Sequence, residues 1–339
     1  MPRTTVVTVL YNSADTIGPL LESLRPAHAA GAINIVLVDN QSRDATLEIV
    51  APFEREGLVR LVHAGGNIGF GRGCNLGAAH AADTPNRSDN AAAPEFILFL
   101  NPDARLDADA IAALEQALDA NPKAAIAAPA IERPDHTLQP VGVLPTRRSL
   151  ILERTPLHSL VVRGQRPTPD ADPSPTAWVS GAAFMVRREA FERVGGFDAR
   201  FFLYFEESDL FRRLAKAGHT ILICPQARCP HIGGHSTESV ESGRISGSIA
   251  EHFIRSRNEY ARKHFGALVM AIADMAFATT LWCRATFTRN PQSRATWQAR
   301  KACGLFRLPD PVPPQPPSAN ANSNATAASH NPNATATAA

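Results

Sequence analysis

TVVTVLYNS, at residues 5–13, joins six aliphatic or β-branched residues to a polar turn. The run has no alternation of polar and apolar residues, so it predicts a strand buried on both faces, as in a parallel sheet. INIVLVDN at residues 33–40 repeats the pattern. Further strands are predicted at Leu58–Val62, Phe96–Leu100 and Ala124–Ala128, and helices near Thr16–Leu24 and at Asp44–Phe53, Gly71–Ala82 and Asp107–Ala120. The first 130 residues therefore predict an open, mainly parallel α/β sheet with helices on both faces.

The composition is that of a folded globular protein. Hydrophobic residues make up 44% of the 339 positions and charged residues 19%, which excludes wholesale disorder and fibrous structure. The net charge of +2 excludes a chain that is basic throughout, although residues 251–301 hold nine Lys/Arg against three Asp/Glu. Five scattered cysteines and an N-terminal apolar run too short for a signal peptide predict a cytoplasmic protein.

Polar residues follow three of the predicted strands at the point where each strand ends. They are Asn12, the pair Asp39 and Asn40, and the turn that contains Asn101 and Asp103. Asn and Asp are also common loop and capping residues, so each alone has an ordinary explanation. Because ligands of open α/β sheets bind beyond the carboxyl ends of the strands, the three groups together predict a binding site at this edge.

A glycine-rich segment, GGNIGFGRGCNLG, occupies residues 65–77. Its glycines do not have the spacing of a dinucleotide-binding fingerprint, and no P-loop sequence is present. Two interpretations stay open: close approach of the backbone to a phosphate or sugar, or a glycine-rich turn before a helix.

The second half of the chain begins with a long Pro-, Arg- and Thr-rich loop at 133–177, with one short helix near Arg148–Glu153. An acidic cluster of Glu206, Glu207 and Asp209 then opens a predicted helix, where carboxylates also suit the helix dipole. Carboxylates at strand and helix ends, together with His231, are donors that a hard divalent cation accepts while leaving positions for diphosphate oxygens. They suggest metal-assisted transfer from a nucleoside diphosphate to a hydroxyl group.

The order of these motifs resembles the second family of inverting glycosyltransferases, of GT-A (Rossmann-like) fold, especially its rhamnosyltransferase-like branch. The resemblance runs from about Val6 to about His264. The matching segments are VVTVLYNS (6–13), VLVDNQSRDAT (36–46), GGNIGFGRGCNLG (65–77), FLNPDARL (99–106), the stretch 178–219 and PHIGGHST (230–237).

The resemblance implies a role for individual residues. Asp39 would accept a hydrogen bond from the pyrimidine of the nucleotide, and Asp103 would hold Mg²⁺ or Mn²⁺ on the diphosphate, with His231 as a second ligand. Glu207 would be the general base that takes the acceptor proton while the anomeric carbon inverts. The remaining residues of the donor site would be Asn12, Asn40, Asn67, Asn75 and Asn101.

Two positions depart from the family pattern. Asn101 stands where the DxD motif has its first Asp, a change that the rhamnosyltransferase-like branch often shows. Glu207 replaces an Asp, which moves the carboxylate outward by about 1.5 Å. Glu206 is therefore an alternative base.

Domain boundaries are predicted at 1–245 for the transferase domain, with a nucleotide-sugar half at 1–130 and an acceptor half at 131–245. Residues 246–305 form a C-terminal helical segment and 306–339 a disordered tail. Residues 266–283 are apolar apart from Asp274 and are followed by basic residues. This segment could be a core helix or a helix in the interface of an anionic membrane, and spanning is disfavoured because of Asp274. The basic residues are Arg284, Arg289, Arg294, Arg300 and Lys301.

The predicted function is transfer of rhamnose from dTDP-rhamnose, with inversion, to a cell-envelope glycan or a polyprenyl-linked acceptor. The alternatives are another donor, such as a UDP-hexose or UDP-galactofuranose, and a non-catalytic sugar- or nucleotide-binding scaffold. Nucleic-acid binding is not expected, because the basic segment lacks interleaved aromatic residues.

Overall fold

The computed structural model describes residues 2–81, 93–155, 157–161, 173–231, 248–287 and 291–309. A seven-stranded sheet forms its centre, and two short strands pair separately. The strands are β1 (Thr4–Leu10), β2 (Ile33–Asp39), β3 (Arg60–His63), β4 (Phe96–Leu100), β5 (Ala124–Glu132), β6 (Gly142–Val143), β7 (Ala177–Trp178), β8 (Ala183–Arg187) and β9 (Thr220–Pro230).

The large sheet has the order β3-β2-β1-β4-β8-β5-β9. Its strands run in one direction except β8, which is antiparallel to β4 and β5. Leu10 at the end of β1 pairs with Asp39 at the end of β2, and Val7 pairs with Phe99 of β4. The carboxyl ends of these three strands therefore lie side by side, and the predicted mainly parallel sheet is confirmed.

Helices cover both faces of the sheet, as the strand pattern predicts. One apolar core joins β1, β2 and β4 to α1, α2 and α4, and the other joins the opposite face to α3, α7 and α8. The helices are α1 (Ala14–Ala29), α2 (Thr46–Arg55), α3 (Phe70–Ala79), α4 (Ala108–Ala120), α5 (Arg147–Ile151), α6 (His158–Val161), α7 (Arg188–Arg193), α8 (Glu206–Lys216), α9 (Ser248–Phe265), α10 (Ala267–Phe287) and α11 (Pro291–Cys303).

The region predicted as a long loop with one short helix contains more regular structure than expected. Residues Arg147–Ile151 form α5, where the Thr146 hydroxyl accepts from the Ser149 backbone N–H and the Ser149 hydroxyl accepts in return. β6 pairs with β7, and Ser174 forms a bridge to Ile221 of β9. Residues 162–172 lie outside the described part of the chain.

The C-terminal segment forms the helices α9, α10 and α11, of which α10 is long and apolar enough to cross a membrane by length and composition alone. Asp274 of α10 is fully buried and pairs with Arg300 of α11 at 2.8 Å. This pair explains an acidic residue in an apolar helix. It also corrects the predicted basic flank, because Arg300 turns inward; Arg289 and residues 310–339 lie outside the described residues.

Candidate functional site

The polar residues at the strand ends do gather at one edge of the sheet. Asp39 and Asn40 end β2, Asn12 follows β1, and the turn 101–105 follows β4. Because these strands are neighbours in the sheet, the three groups line adjacent positions. The edge also receives the end of β9, which brings in His231.

The Asp39–Asn40 corner is organised by hydrogen bonds to neighbouring loops. Asp39 is 6% exposed, and its Oδ1 accepts from the Ser42 backbone N–H at 3.0 Å. Asn40 donates from Nδ2 to Oδ1 of Asn67 at 3.0 Å, and its own Oδ1 accepts from the Ile68 backbone at 2.9 Å. The buried side chain of Asn40 thus attaches the glycine-rich segment to the end of β2.

Asn12 and Asn75 have different surroundings. Asn12 is exposed with a positive φ of 52°, and its Oδ1 accepts from the Arg43 backbone N–H at 2.8 Å. Asn75 uses its amide on both sides of Phe197, donating to the carbonyl and accepting from the N–H, each at 2.8 Å. Asn75 therefore ties α3 to the loop before α8, a structural use that its sequence position did not indicate.

The turn after β4 brings Asp103 to His231. Nε2 of His231 lies 3.2 Å from Oδ1 of Asp103, and both side chains are largely buried. Arg105 fixes this turn: its guanidinium donates to the Pro102, Ala104 and Thr16 carbonyls, and its backbone N–H donates to Pro230. Two residues that are 128 positions apart in the sequence thereby form one pair of side chains.

The Asp103–His231 pair fits a divalent cation. Burial alone raises the pKa of Asp103, but the hydrogen bond and charge of His231, together with the backbone of the turn and Arg105, lower the pKa below its ordinary value. An ionised carboxylate beside an imidazole is a donor set that Mg²⁺ or Mn²⁺ accepts. Within the described ranges no group of three His, Cys, Asp or Glu residues comes together, so the donor set there is this pair alone.

The glycines of residues 65–77 serve mainly to bring α3 close to its neighbours. A Cβ on Gly73 would lie 2.9 Å from the side chain of Val9, and one on Gly77 would overlap Val7. A Cβ on Gly71 would contact Glu206 at 3.4 Å. The interpretation as a turn before a helix applies only up to Gly69, which precedes α3 with a φ of +87°. Within α3 the glycines contact protein, which the spacing alone did not reveal.

Glu206 and Glu207 begin α8 directly after a strained turn. Tyr204 and Phe205 both adopt left-handed backbone conformations, with φ of 69° and 64°, which cost roughly 1–3 kcal/mol each for residues with a side chain. In the described part of the chain, Oε2 of each glutamate is buried without a hydrogen-bond partner. Burial raises the pKa of Glu207 to about 7, and burial together with the neighbouring Glu207 raises the pKa of Glu206 well above its ordinary value.

Helix α9 holds this turn from the outside. Ser256 donates to the Leu203 carbonyl at 2.8 Å, and Phe253 packs against the rings of Tyr204 and Phe205. These contacts were not predicted, because they join segments about 50 residues apart. The aromatic residues Tyr204 and Phe205, directly before the acidic pair, were the available sequence signal for such packing.

Asp209 is a structural residue rather than part of the open site. Its carboxylate is fully buried and bonds to Arg213 at 2.7 Å, Lys263 at 2.5 Å and His264 at 2.8 Å. Arg213 lies four residues after Asp209 on the same helix, which is the spacing of facing side chains, and Arg212 instead donates to Tyr260.

Comparison with known proteins agrees with this arrangement. The family model described as glycosyl transferase family 2 matches residues 5–195. The chain is 32% identical over 244 residues to N-acetylglucosaminyl-diphospho-decaprenol L-rhamnosyltransferase of Mycobacterium tuberculosis, which is 68% of this chain and 76% of that protein. It is 25% identical over 238 residues to the rhamnosyltransferase WbbL of Escherichia coli K12, which is 69% of this chain and 85% of that one.

The fold itself is shared with solved structures. The mannosyltransferase PcManGT from Pyrobaculum calidifontis, in complex with GDP-Man and Mn²⁺, superimposes with a TM-score of 0.52 at 18% identity, covering 89% of this chain and 85% of that one. At that identity the likeness concerns the fold, which is the GT-A arrangement of a mainly parallel sheet with helices on both faces. The matched family model covers more than half of the chain, and the chain belongs to glycosyl transferase family 2.

Proposed function

We propose that this glycosyltransferase moves rhamnose from dTDP-rhamnose, with inversion at the anomeric carbon, onto a polyprenyl-linked glycan. The observation that carries the proposal is the 32% identity, across 76% of its length, to a rhamnosyltransferase whose name specifies a diphospho-decaprenol acceptor. The rhamnosyltransferase of Escherichia coli supports the same donor sugar.

The donor nucleotide would bind at the edge formed by β1, β2 and β4. Asp39 is buried there with Oδ2 3.6 Å from Nδ1 of His63, so its carboxylate is a fixed acceptor for the N–H of a pyrimidine. Asn40 and Asn67 hold the adjoining loop in place through their mutual hydrogen bond. This rigidity would orient the nucleoside before the sugar reacts.

Glu207 would act as the general base. A pKa of about 7 leaves a substantial fraction of the carboxylate ionised near neutral pH and still makes it a competent proton acceptor. Among the described residues its buried Oε2 has no hydrogen-bond partner, so its lone pairs are available to the proton of an acceptor hydroxyl. The hydroxyl proton would pass to Glu207 while the oxygen attacks the anomeric carbon from the face opposite the diphosphate, and that attack inverts the carbon.

Asp103 and His231 would hold a divalent cation against the donor diphosphate. When bound, such a cation supplies positive charge that stabilises the departing nucleoside diphosphate. The protein's own contribution is to keep the ligands together: Arg105 fixes the turn of Asp103, and the Glu132 carbonyl accepts from the His231 backbone N–H at 2.9 Å.

The experiment that tests the proposal compares nucleotide sugars with an N-acetylglucosaminyl-diphospho-prenol acceptor. We expect rapid transfer from dTDP-rhamnose and slow transfer from UDP-hexoses and UDP-galactofuranose, and NMR of the product should show the inverted anomer. Faster transfer from a UDP-sugar, or retention of configuration, would contradict the proposal. If the wild type hydrolyses the donor or transfers its sugar and Glu207→Gln does neither, the protein is an enzyme and not a binding scaffold.

The same proposal places the protein in the cytoplasm at the inner face of a membrane. An acceptor with a polyprenyl chain resides in the membrane, so a peripheral enzyme must reach its surface. The exposed Arg284, in the last turn of α10, and the exposed Arg294 of α11 would be attracted to anionic lipid by about 1 kcal/mol each near the surface.

A further inference from the structure

The C-terminal segment carries most of the large exposed apolar side chains among the described residues. Of the nine large hydrophobic residues that are exposed in the described part of the chain, seven lie beyond residue 266. On α10 they recur at helical spacing, so they share one face, and the opposite face packs inward. The residues of this apolar stripe are Leu268, Ile272, Met275 and Trp282.

A cavity of about 410 Å³ opens between this stripe and α11. Met275, Ala278 and Trp282 of α10 form one wall, and Trp297 of α11 and Leu305 form the other. The wall of α11 also carries a basic residue, Lys301, four positions after Trp297, whereas the guanidinium of Arg300, which lines the cavity as well, pairs with Asp274. None of the described residues lining the cavity is acidic.

The cavity shares packing neighbours with the turn that precedes Glu206 and Glu207. Trp297 packs against the buried cluster that contains Phe253 and Leu281. Tyr204 and Phe205, which precede the two glutamates, pack against the same cluster. A molecule in the cavity therefore contacts Trp297, and the cluster behind Trp297 also supports the start of α8.

An apolar, aromatic cavity with a basic rim matches an amphiphile that has a hydrocarbon chain and an anionic head. The segment of this chain that follows the cavity is a poor occupant, because residues 310–339 contain no Leu, Ile, Met, Phe, Tyr or Trp. We infer that the cavity between α10 and α11 binds the isoprenoid chain of a polyprenyl diphosphate, with Lys301 facing the diphosphate. The inference rests on the proposed function and identifies the part of the chain that would recognise the lipid of the acceptor.

Two of the three tryptophans of the chain line the cavity, so their fluorescence reports on it directly. In a full-length Trp178→Phe background, titration with geranylgeranyl diphosphate below its micellar concentration should give a saturable blue shift. Geranylgeraniol, which lacks the diphosphate, should bind more weakly, and inorganic pyrophosphate should cause no shift. The absence of a saturable shift would overturn the inference.

Substitutions distinguish binding in the cavity from non-specific adsorption to an exposed apolar surface. Met275→Glu, at an exposed position of the cavity wall, should weaken the binding about tenfold or more, and Lys301→Glu should weaken binding of the diphosphate more than that of the alcohol. The matched control is Leu268→Glu, which adds the same charge to the same apolar stripe outside the cavity and should leave the titration unchanged. Equal losses in Met275→Glu and Leu268→Glu would overturn the inference.

Transfer assays separate this inference from the proposed function. With a long-chain prenyl acceptor and a short-chain soluble analogue compared side by side, Met275→Glu should lower the ratio of kcat/KM for the long chain to that for the short chain at least several-fold. An unchanged ratio would overturn the lipid site while leaving rhamnosyl transfer intact, whereas no transfer to either acceptor by the wild type would contradict the proposed function itself. A wild-type dimer that Met275→Glu dissociates, with no lipid-dependent shift, would assign the face to a second copy and overturn the inference.

Discussion

Replacing Glu207 with Gln should slow sugar transfer strongly and make the protein more stable. The amide keeps the size and hydrogen bonding of the side chain but cannot accept a proton. We expect donor binding to survive and turnover to fall roughly 10²–10⁴-fold. The gain in stability has a separate cause, which is that a carboxylate with a raised pKa opposes folding once it is ionised.

The size of this gain follows from the pKa. The folded value is about 7 and the ordinary value is 4.5. Below pH 4.5 both states hold the proton and the group makes no difference. Between pH 4.5 and 7 the unfolded chain loses the proton while the folded chain keeps it, so stability declines with rising pH, and above pH 7 the penalty is constant. The full difference corresponds to about 3 kcal/mol, and solvent screening at this half-buried side chain reduces it to about 1–2 kcal/mol.

Urea unfolding of wild type and Glu207→Gln at pH 5 and pH 8 measures the effect. The advantage of the variant in free energy of unfolding should grow by about 1 kcal/mol between the two pH values, because part of the penalty is already present at pH 5. The matched control is Glu54→Gln, at an exposed position of α2, which should show no such growth. A variant that is less stable than wild type at pH 8, or one that retains full turnover, would refute the reasoning.

Three further outcomes are expected. Asp103→Ala should abolish transfer and His231→Ala should weaken the dependence on Mg²⁺ or Mn²⁺, whereas full wild-type activity in EDTA would exclude a metal role for both residues. Glu206→Gln should retain more turnover than Glu207→Gln, and the reverse order would move the base back by one residue. The protein should sediment with anionic liposomes less strongly as salt rises, and charge reversal of three arginines should abolish sedimentation; salt-independent absence of binding, with normal activity on lipid acceptors, would leave α10 without a membrane role. The arginines are Arg284, Arg289 and Arg294.

The sheet could be predicted because the local sequence of its strands is sufficient to identify them. β1, β2 and β4 are continuous apolar runs that end in polar residues, and this pattern arises only where both faces of a strand are covered. The reversed direction of β8 could not be predicted, because an apolar strand of five residues reads the same in either direction. Neighbouring strands, not the local sequence, determine its orientation.

In the candidate site, too, some features could be predicted from the sequence and others could not. The strand-end residues could be anticipated because the topology brings them to one edge, and the meeting of Asp103 with His231 agrees with the order of motifs. The buried pair Asp274–Arg300 could not, since nothing in the spacing of two helices indicates which side chains face each other. The left-handed conformations of Tyr204 and Phe205 depend likewise on packing against α9 rather than on their own preferences.

The contacts between α9 and the turn before Glu206 and Glu207 have a consequence for the construction of hybrid enzymes. His252 stacks on Phe202, Ser256 bonds to Leu203, and Glu259 pairs with Arg200 at 2.7 Å, so successive turns of one helix contact residues of one loop. Residues 198–209 and 248–265 therefore form a single exchangeable unit, although 38 residues separate them in the sequence. A chimaera that takes acceptor recognition from a relative must import both segments together, because either one alone would meet a partner whose side chains no longer match.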